Sequence, residues 1–447
     1  MTLRFGTDGV RGVANRDLTP ELVTALGRAA ARVLGADRPF VVGRDTRRSG
    51  PLLEAALVAG LCSEGADVER VGVLPTPGVA YLAQLFDAPA VVISASHNPY
   101  PDNGVKLFAR GGRKIADAPE QRIEMELRRL VDAGAGDGPD GPGVGVARDR
   151  LGAAADYIAH LSAALGGRRL EGQSVVVDCG NGAAFEIAPW ALRVQGAWVR
   201  VLHDQPDGTN INAGCGSTDP RELQQAVLAA GANAGLAFDG DADRVIAVDE
   251  RGNLVDGDQM LAIIALDLHE RGELRGNAVV ATVMSNLGLR RALVEHGIEV
   301  VETPVGDRNV LTALEERGLS LGGEQSGHLI VTELATTGDG TLTGMLLLDV
   351  MARRGRPLSE LAAVVEPFPQ VLRSVRVADR AGVDRDGALK AELVSVEEEL
   401  GVDGRVLVRP SGTEPVVRVM VEAPTTDQAE TAATRLVAAV ERACGSA

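Results

Sequence analysis

The chain has 447 residues, 45% of them apolar and 24% charged, with a formal net charge of −17. That balance is globular, excludes a disordered or collagenous chain, and argues against a nucleic-acid binder, which would need a basic face. One hydrophobic core stops growing near about 250–300 residues, so about three or four domains are expected.

Aromatic residues make up only 3% of the chain, which leaves Ala, Val, Leu and Ile to build the cores. An acidic protein that handles an anion must gather its positive charge locally, in Arg-rich loops or at a metal. Lysine is scarce, at Lys106, Lys114 and Lys390, so a lysine inside a motif is conspicuous. Cys62, Cys179, Cys215 and Cys444 form no CxxC pair, which suits a reducing compartment and gives no zinc signature. No apolar run approaches membrane-spanning length and Met1–Gly6 holds no signal-like core, so a cytoplasmic protein without membrane contact is expected.

In chain order, Thr19-Pro20-Glu21 opens a helix, with a capping residue before proline at the first helical position. Phe40-Val-Val-Gly43 reads as a buried strand and Ser49 as the cap of the next helix. Residues 68–73 are strand-like, 76–86 helical, and 89–95 a β-rich apolar run. The Gly/Pro/Asp stretch 134–143 holds no regular structure and marks a boundary. A second cycle runs from Ser174-Val-Val-Val-Asp178 to Ala234-Gly-Leu-Ala-Phe238. A third runs from Ala278-Val-Val-Ala281 through Leu319-Ser-Leu321 into a helix after Gly340. After Pro367-Phe-Pro369 the pattern becomes strand, helix, two strands, helix. The expected architecture is α/β: three similar domains with mainly parallel mixed sheets (1–150, 151–254, 255–366) and a smaller α+β domain (367–447) around a central cleft. No internal sequence repeat is strong enough to relate the three.

In open α/β sheets ligands bind at the carboxyl ends of strands, which draws attention to four polar loops. Ser94-Ala-Ser-His-Asn-Pro99, continuing through Asp102 to Lys106, presents Ser96 beside His97 and near a rare lysine. Taken alone, a turn explains it as well, because Ser, Asn and Pro favour turns. Asp239-Gly-Asp-Ala-Asp243-Arg244 sets three carboxylates at i, i+2 and i+4, where they can converge on a hard cation such as Mg²⁺ or Ca²⁺; a solvated turn without metal is the weaker alternative, since acids this close repel one another. An EF-hand is rejected, since Arg244 takes the required glycine position and the flanks read as strands. Asp256-Gly-Asp258 is better explained as a turn with a helix cap. Gly322-Gly-Glu-Gln-Ser-Gly-His328 offers Glu324 and Ser326 to sugar hydroxyls and His328 for proton exchange, although a plain Gly-rich turn fits equally. Arg409-Pro-Ser-Gly-Thr-Glu-Pro415 with Arg418 is an anion cradle flanked by arginines, or a surface turn. There is no GxxxxGK[ST], GxSxG or HExxH. Gly180-Asn-Gly182 lacks the third glycine of a dinucleotide fingerprint.

These four loops, in this order and over essentially the whole chain, resemble the α-D-phosphohexomutase superfamily. Phe5-Gly-Thr-Asp-Gly-Val-Arg-Gly12, the 323–328 loop and Arg409–Arg418 are similar to its branch acting on glucosamine phosphates. The resemblance implies interconversion of glucosamine 6-phosphate and glucosamine 1-phosphate through a phosphoserine at Ser96 and a 1,6-bisphosphate, which also serves as activator. It further implies one Mg²⁺ per subunit, held by Asp239, Asp241, Asp243 and an oxygen of phosphorylated Ser96. Arg11, Lys106 and His328 match positions near the reacting hydroxyl, with Arg244 beside the metal loop. Glu324 and Ser326 match the sugar-reading residues; Arg409, Ser411, Gly412, Thr413 and Arg418 match the loop for the phosphate not being transferred. Lys106 suits a general base better than an arginine, which stays protonated. Also implied are a closing motion of the C-terminal domain, amino-sugar supply for the cell wall, a homodimer in many members, and priming of Ser96 by a kinase or by autophosphorylation. The rival readings are a mutase for mannose or glucose phosphates, a binding protein without turnover, and a phosphatase.

Overall fold

The computed structural model describes residues 9–133, 138–411 and 415–445. Four sheets follow one another along the chain. The first contains β1 (Val10–Val13), β2 (Phe40–Arg44), β3 (Val68–Val73), β4 (Ala90–Ile93), β5 (Asp102–Phe108) and β6 (Ala147–Asp149), in the order β1-β5-β4-β2-β3-β6. Strands β2, β3, β4 and β6 run parallel, while β5 is antiparallel to both β4 and β1. β4 and residues 40–43 of β2 are buried throughout, the unbroken apolar pattern of strands covered on both faces. Leu, Val, Ile and Ala fill the core against the helices Pro20–Leu34 and Gly50–Ser63.

The second sheet has β7 (Ser174–Asp178), β8 (Trp198–Leu202), β9 (Ala234–Phe238), β10 (Val245–Asp249) and β11 (Leu254–Val255), ordered β11-β10-β9-β7-β8. The third has β12 (Ala278–Thr282), β13 (Glu299–Thr303), β14 (Leu321–Gly323) and β15 (Leu329–Val331), ordered β13-β12-β14-β15. A common unit recurs: three parallel strands, the first in the middle, then a hairpin to an antiparallel fourth. The orders β3-β2-β4-β5, β8-β7-β9-β10 and β13-β12-β14-β15 are the same pattern. Topology therefore relates the three domains where the sequence does not. In each unit the polar loop is the hairpin between the third and fourth strands.

Two local expectations change. Asp102–Lys106 is strand β5 and not loop, because its ladders to β1 and β4 outweigh the poor strand propensity of Asn103 and Gly104. Ser49 does not cap the helix after it; its backbone is already helical, and its Oγ accepts from Asn103 Nδ2 at 2.9 Å. Asp256 does cap the helix Gly257–Glu270, through a capping box with Gln259.

The fourth sheet is antiparallel: β16 (Gln370–Arg376), β17 (Arg405–Pro410) and β18 (Val416–Glu422), ordered β16-β18-β17. The helices Gly387–Leu400 and Thr426–Cys444 close a Val/Leu/Ala core over it. Contacts divide the chain into two compact units, Met1–Met284 with Ile298–Val364, and Ser285–Gly297 with Val365–Ala447. The helix Leu287–Glu295 thus counts with the C-terminal unit. Leu287 N donates to buried Glu422 Oε2 at 3.1 Å, and Asn286 exchanges hydrogen bonds with the Phe368 backbone. Among the described residues, no helix is long and apolar enough to cross a membrane.

Candidate active site

Ser96 lies in the β4–β5 hairpin, 1% exposed, with φ +52°. A non-glycine residue in the left-handed region is strained and persists only where its surroundings impose it. Its Oγ donates to Asp239 Oδ2 at 2.5 Å.

Asp239, Asp241 and Asp243 occupy the β9–β10 hairpin, all buried, with one carboxylate oxygen from each within 4.8 Å of the others. The intervening residues are small because the turn is crowded. A Cβ on Gly240 would fall 2.5 Å from Ser96 O, and Ala242 takes φ +56°. Lys106, 1% exposed on β5, points into the same place; its Nζ is 2.7 Å from Asp241 Oδ2 and 3.2 Å from Asp243 Oδ2. Thr76 Oγ1 adds a hydrogen bond to Asp241 Oδ2 at 2.5 Å.

Burial, then the charges of Asp243 and Asp241, push the Asp239 carboxyl well above its ordinary range. Burial would raise Asp243 too, but Lys106, His328 and Arg244 outweigh it and hold that carboxyl well below. Lys106 hydrogen-bonds two of these buried acids, and Arg244 Nε and His328 Nδ1 lie 3.8 and 3.7 Å from Asp243 Oδ1. Asp241 Oδ1 and Asp243 Oδ1 are buried and accept no hydrogen bond. An all-oxygen donor set with orphaned carboxylate oxygens fits a hard divalent cation such as Mg²⁺.

The third loop is the β14–β15 hairpin. Glu324 is buried, with Oε1 accepting from Gly306 N at 3.0 Å, whereas Ser326 is exposed. His328 is buried and 3.7 Å from Asp243 through Nδ1. Its Nε2 accepts from Gly338 N at 3.0 Å, which requires a lone pair there and puts the ring proton on Nδ1. Only glycine fits at 338, since a Cβ would meet the imidazole at 2.5 Å. Arg244 reaches from the acid loop to His97 Nδ1 at 3.4 Å, and Arg11 on β1 pairs with Gly104, two residues before Lys106.

The structure therefore brings Ser96, Lys106, the three aspartates and His328 into one linked cluster. In the C-terminal unit, Arg409 and Arg418 sit directly opposite each other on β17 and β18, both half-buried. Burial, then the charge of Arg418, lower the Arg409 pKa, so the pair favours an anion beside it. Ser411 is buried, and its N–H donates to Val416 O at 2.9 Å. Gly412 and Thr413 lie outside the described residues, as do Phe5–Asp8 of the N-terminal motif. Sequence reasoning passed over Asp45, Arg47, Thr76 and Asn212. Asp45 and Arg47 had a signal: Arg44-Asp-Thr-Arg-Arg-Ser49 follows an apolar strand just as the other polar loops do.

A second trio able to approach one ion, Asp178, His203 and Cys215, behaves as a clasp. Asp178 already accepts from Gly180 N, Gly216 N and His203 Nδ1 at 2.9, 2.9 and 3.0 Å. Burial and neighbouring acids push the Cys215 thiol up to about 12, which disfavours a thiolate ligand. The Asp178 hydrogen bond, against burial and with the charges of Asp178 and Glu222, raises the His203 pKa. Its stabilisation is full below the ordinary histidine value, about 6.5, and is lost as pH rises through the raised folded value. His203→Gln should therefore flatten the fall in Tm on raising pH from about 6.5 towards 8.5. Parallel Tm–pH curves for the two proteins would refute this.

Family models for phosphoglucomutase/phosphomannomutase match the chain in order: alpha/beta/alpha domain I over residues 2–132, domain II over 155–252, domain III over 256–368 and the C-terminal domain over 372–439. The phosphoglucosamine mutase of Desulforudis audaxviator is 56% identical over 94% of this chain and 93% of its own length. That of Salinispora tropica is 55% identical over 98% of each. Among solved structures, a phosphoglucomutase/phosphomannomutase family protein from Burkholderia thailandensis is 27% identical, with TM-score 0.81 over 98% of this chain and 97% of that one. Aspergillus fumigatus N-acetylphosphoglucosamine mutase, in complex with GlcNAc-6P and magnesium, shares the fold at 19% identity, with TM-score 0.71 over 99% and 96%. The chain belongs to the phosphoglucomutase/phosphomannomutase family and, within it, to the phosphoglucosamine mutases, which are isomerases.

Proposed function

We propose that the protein interconverts glucosamine 6-phosphate and glucosamine 1-phosphate by way of a phosphoryl group on Ser96 Oγ. The observation that carries this reading is Ser96 itself, strained, buried and aimed at a three-aspartate cluster whose oxygens are not all satisfied. The choice of amino sugar rests on the relatives named phosphoglucosamine mutase.

In the forward direction the P–O bond to Ser96 Oγ breaks as a bond to O1 of glucosamine 6-phosphate forms. The proton of the sugar hydroxyl leaves by way of a base, and Oγ regains one. The 1,6-bisphosphate turns over, Ser96 takes the 6-phosphoryl group, and glucosamine 1-phosphate departs. Asp239, Asp241, Asp243 and an oxygen of the phosphoserine would hold Mg²⁺, which supplies positive charge against the transferring group. Lys106 is the base: its Nζ lies 2.7 Å from Asp241 Oδ2 and 3.2 Å from Asp243 Oδ2, beside the carboxylates that would hold the cation. Arg11 and His328 line the reacting hydroxyl. Glu324 and Ser326 read sugar hydroxyls in both orientations, and Arg409, Ser411, Gly412, Thr413 and Arg418 hold the other phosphate. Such an enzyme would work in the cytoplasm, feeding amino sugars to cell-wall synthesis.

The test compares turnover of glucosamine 1-phosphate, glucose 1-phosphate and mannose 1-phosphate with Mg²⁺ and a trace of the matching bisphosphate. Strong preference for the amino sugar is expected. Equal or greater activity on the neutral sugars would overturn the substrate assignment and leave the phosphoserine chemistry standing.

A further inference from the structure

Beneath the serine hairpin lies a buried clamp that the chemistry above does not use. Arg47 is fully buried, and each of its five N–H donors has an acceptor. Nε donates to Asp45 Oδ2 at 2.8 Å. Nη1 donates to Pro99 O and Asp102 O at 2.6 and 3.0 Å. Nη2 donates to Ser96 O and Asn98 O, both at 2.8 Å. Asp45 Oδ2 also accepts from Ser94 Oγ at 2.6 Å, and Ser94 Oγ accepts from Ser96 N at 2.9 Å. One network thus holds both the N–H and the C=O of Ser96.

The second domain grips the same carbonyls. Asn212 Nδ2 donates to Ser96 O at 2.9 Å and to Asn98 O at 3.3 Å. Asn212 is itself left-handed, with φ +57°, and its own N–H donates to Gly180 O at 2.9 Å. Ser96 O therefore sits between Arg47, Asn212 and the close approach of Gly240 from the acid loop.

We infer that Arg47 and Asn212 are positioning residues for phosphoryl transfer: together they impose the left-handed backbone of Ser96 and register its Oγ on Asp239. The inference rests on the phosphoserine reading of the site. Neither residue touches the reacting atoms. A guanidinium suits this task because its rigid planar fork spans four carbonyls at once, which a lysine ammonium with three donors does not. Asn212 adds the link between domains, so the hairpin bearing the nucleophile and the domain bearing the acids cannot slide independently.

Misplacing a reacting atom by about 1 Å costs on the order of 10²-fold in rate. Arg47→Lys in the full-length protein with Mg²⁺ is expected to lower kcat by roughly that factor, with KM changed less than about 3-fold. Half-buried Asn212→Ala should lower kcat about 10-fold with the same unchanged KM, and it carries the test alone if Arg47→Lys does not fold. Hydrogen exchange provides a readout independent of turnover: backbone amides of the 96–102 hairpin should exchange about 10-fold faster in Asn212→Ala, while the helix Pro20–Leu34 is unchanged. Wild-type kcat together with wild-type exchange in that variant would overturn the inference, as would a loss confined to KM. Failure of the wild-type protein to take a phosphoryl group from a sugar 1,6-bisphosphate would overturn the phosphoserine reading instead, and hydrogen exchange would still decide whether the clamp exists.

Discussion

Ser96→Ala should remove mutase turnover by at least about 10⁴-fold, because the variant lacks the hydroxyl proposed to carry the phosphoryl group. Ser94, the other hydroxyl of the hairpin, is committed to Asp45 and to the N–H of Ser96. The variant should remain folded. It loses the hydrogen bond to Asp239, a change of about 1 kcal/mol, and a long contact of 3.4 Å with His97 Nδ1; Asp239 is the carboxyl that burial and like charges already push above its ordinary range. The check is paired: a rate assay with bisphosphate present, and intact-mass measurement after incubation with the bisphosphate. Wild type should gain the mass of one phosphoryl group and the variant none. Turnover above about 1% of wild type in Ser96→Ala would displace the phosphoserine from the mechanism.

Lys106→Ala should act on two properties at once. Without a bound cation, Lys106 is the ammonium that faces Asp241 and Asp243, with all three side chains almost fully buried. Removing one partner from a buried charge cluster costs about 3–5 kcal/mol, since the remaining charges stay desolvated and uncompensated. Mg²⁺ bound by the same carboxylates would restore much of that loss by mass action. The expected result is a small Tm difference between chelator and Mg²⁺ for wild type and a large one for Lys106→Ala. Turnover at saturating Mg²⁺ should fall by about 10²-fold or more if the amine moves the proton. The two outcomes are separable. Full turnover would remove the base role, and an unchanged Mg²⁺ response of Tm would remove the counter-ion role.

The parts of the site legible in the sequence are those local along the chain. Three aspartates spaced by two residues share one hairpin, so their convergence needed no knowledge of the fold. The serine loop, the Gly-rich loop around Glu324 and the paired arginines 409 and 418 are local in the same way. The resemblance to known mutases was readable because each of these segments keeps its motif intact. Residues joined to the site from afar left a fainter trace: Arg47 had only the polar stretch 44–49 after an apolar strand, and Thr76 and Asn212 had none. Arg47 lies 49 residues from Ser96, Asn212 lies 116 from it, Lys106 lies 135 from Asp241, and Thr76 lies 165 from Asp241. Lys106 was singled out by rarity and resemblance, but its ion pairs were not readable, since Asp102–Lys106 passes for loop until its ladders to two neighbouring strands are known.

The same division holds for the fold. Apolar runs at 40–43, 175–177, 234–238 and 278–281 determined where the central strands lie, because a strand covered on both faces reads as a near-continuous apolar run. Aspartate marks where three of them stop, at Asp45, Asp178 and Asp239. Tertiary structure alone decided that each polar loop turns back as a hairpin into an antiparallel fourth strand, the shared topology that makes the three domains alike. It alone decided that a buried arginine and an asparagine from another domain grip one serine hairpin. Strand pairing and the satisfaction of buried carbonyls depend on which distant segments become neighbours, and a residue's local pattern carries no record of its neighbour.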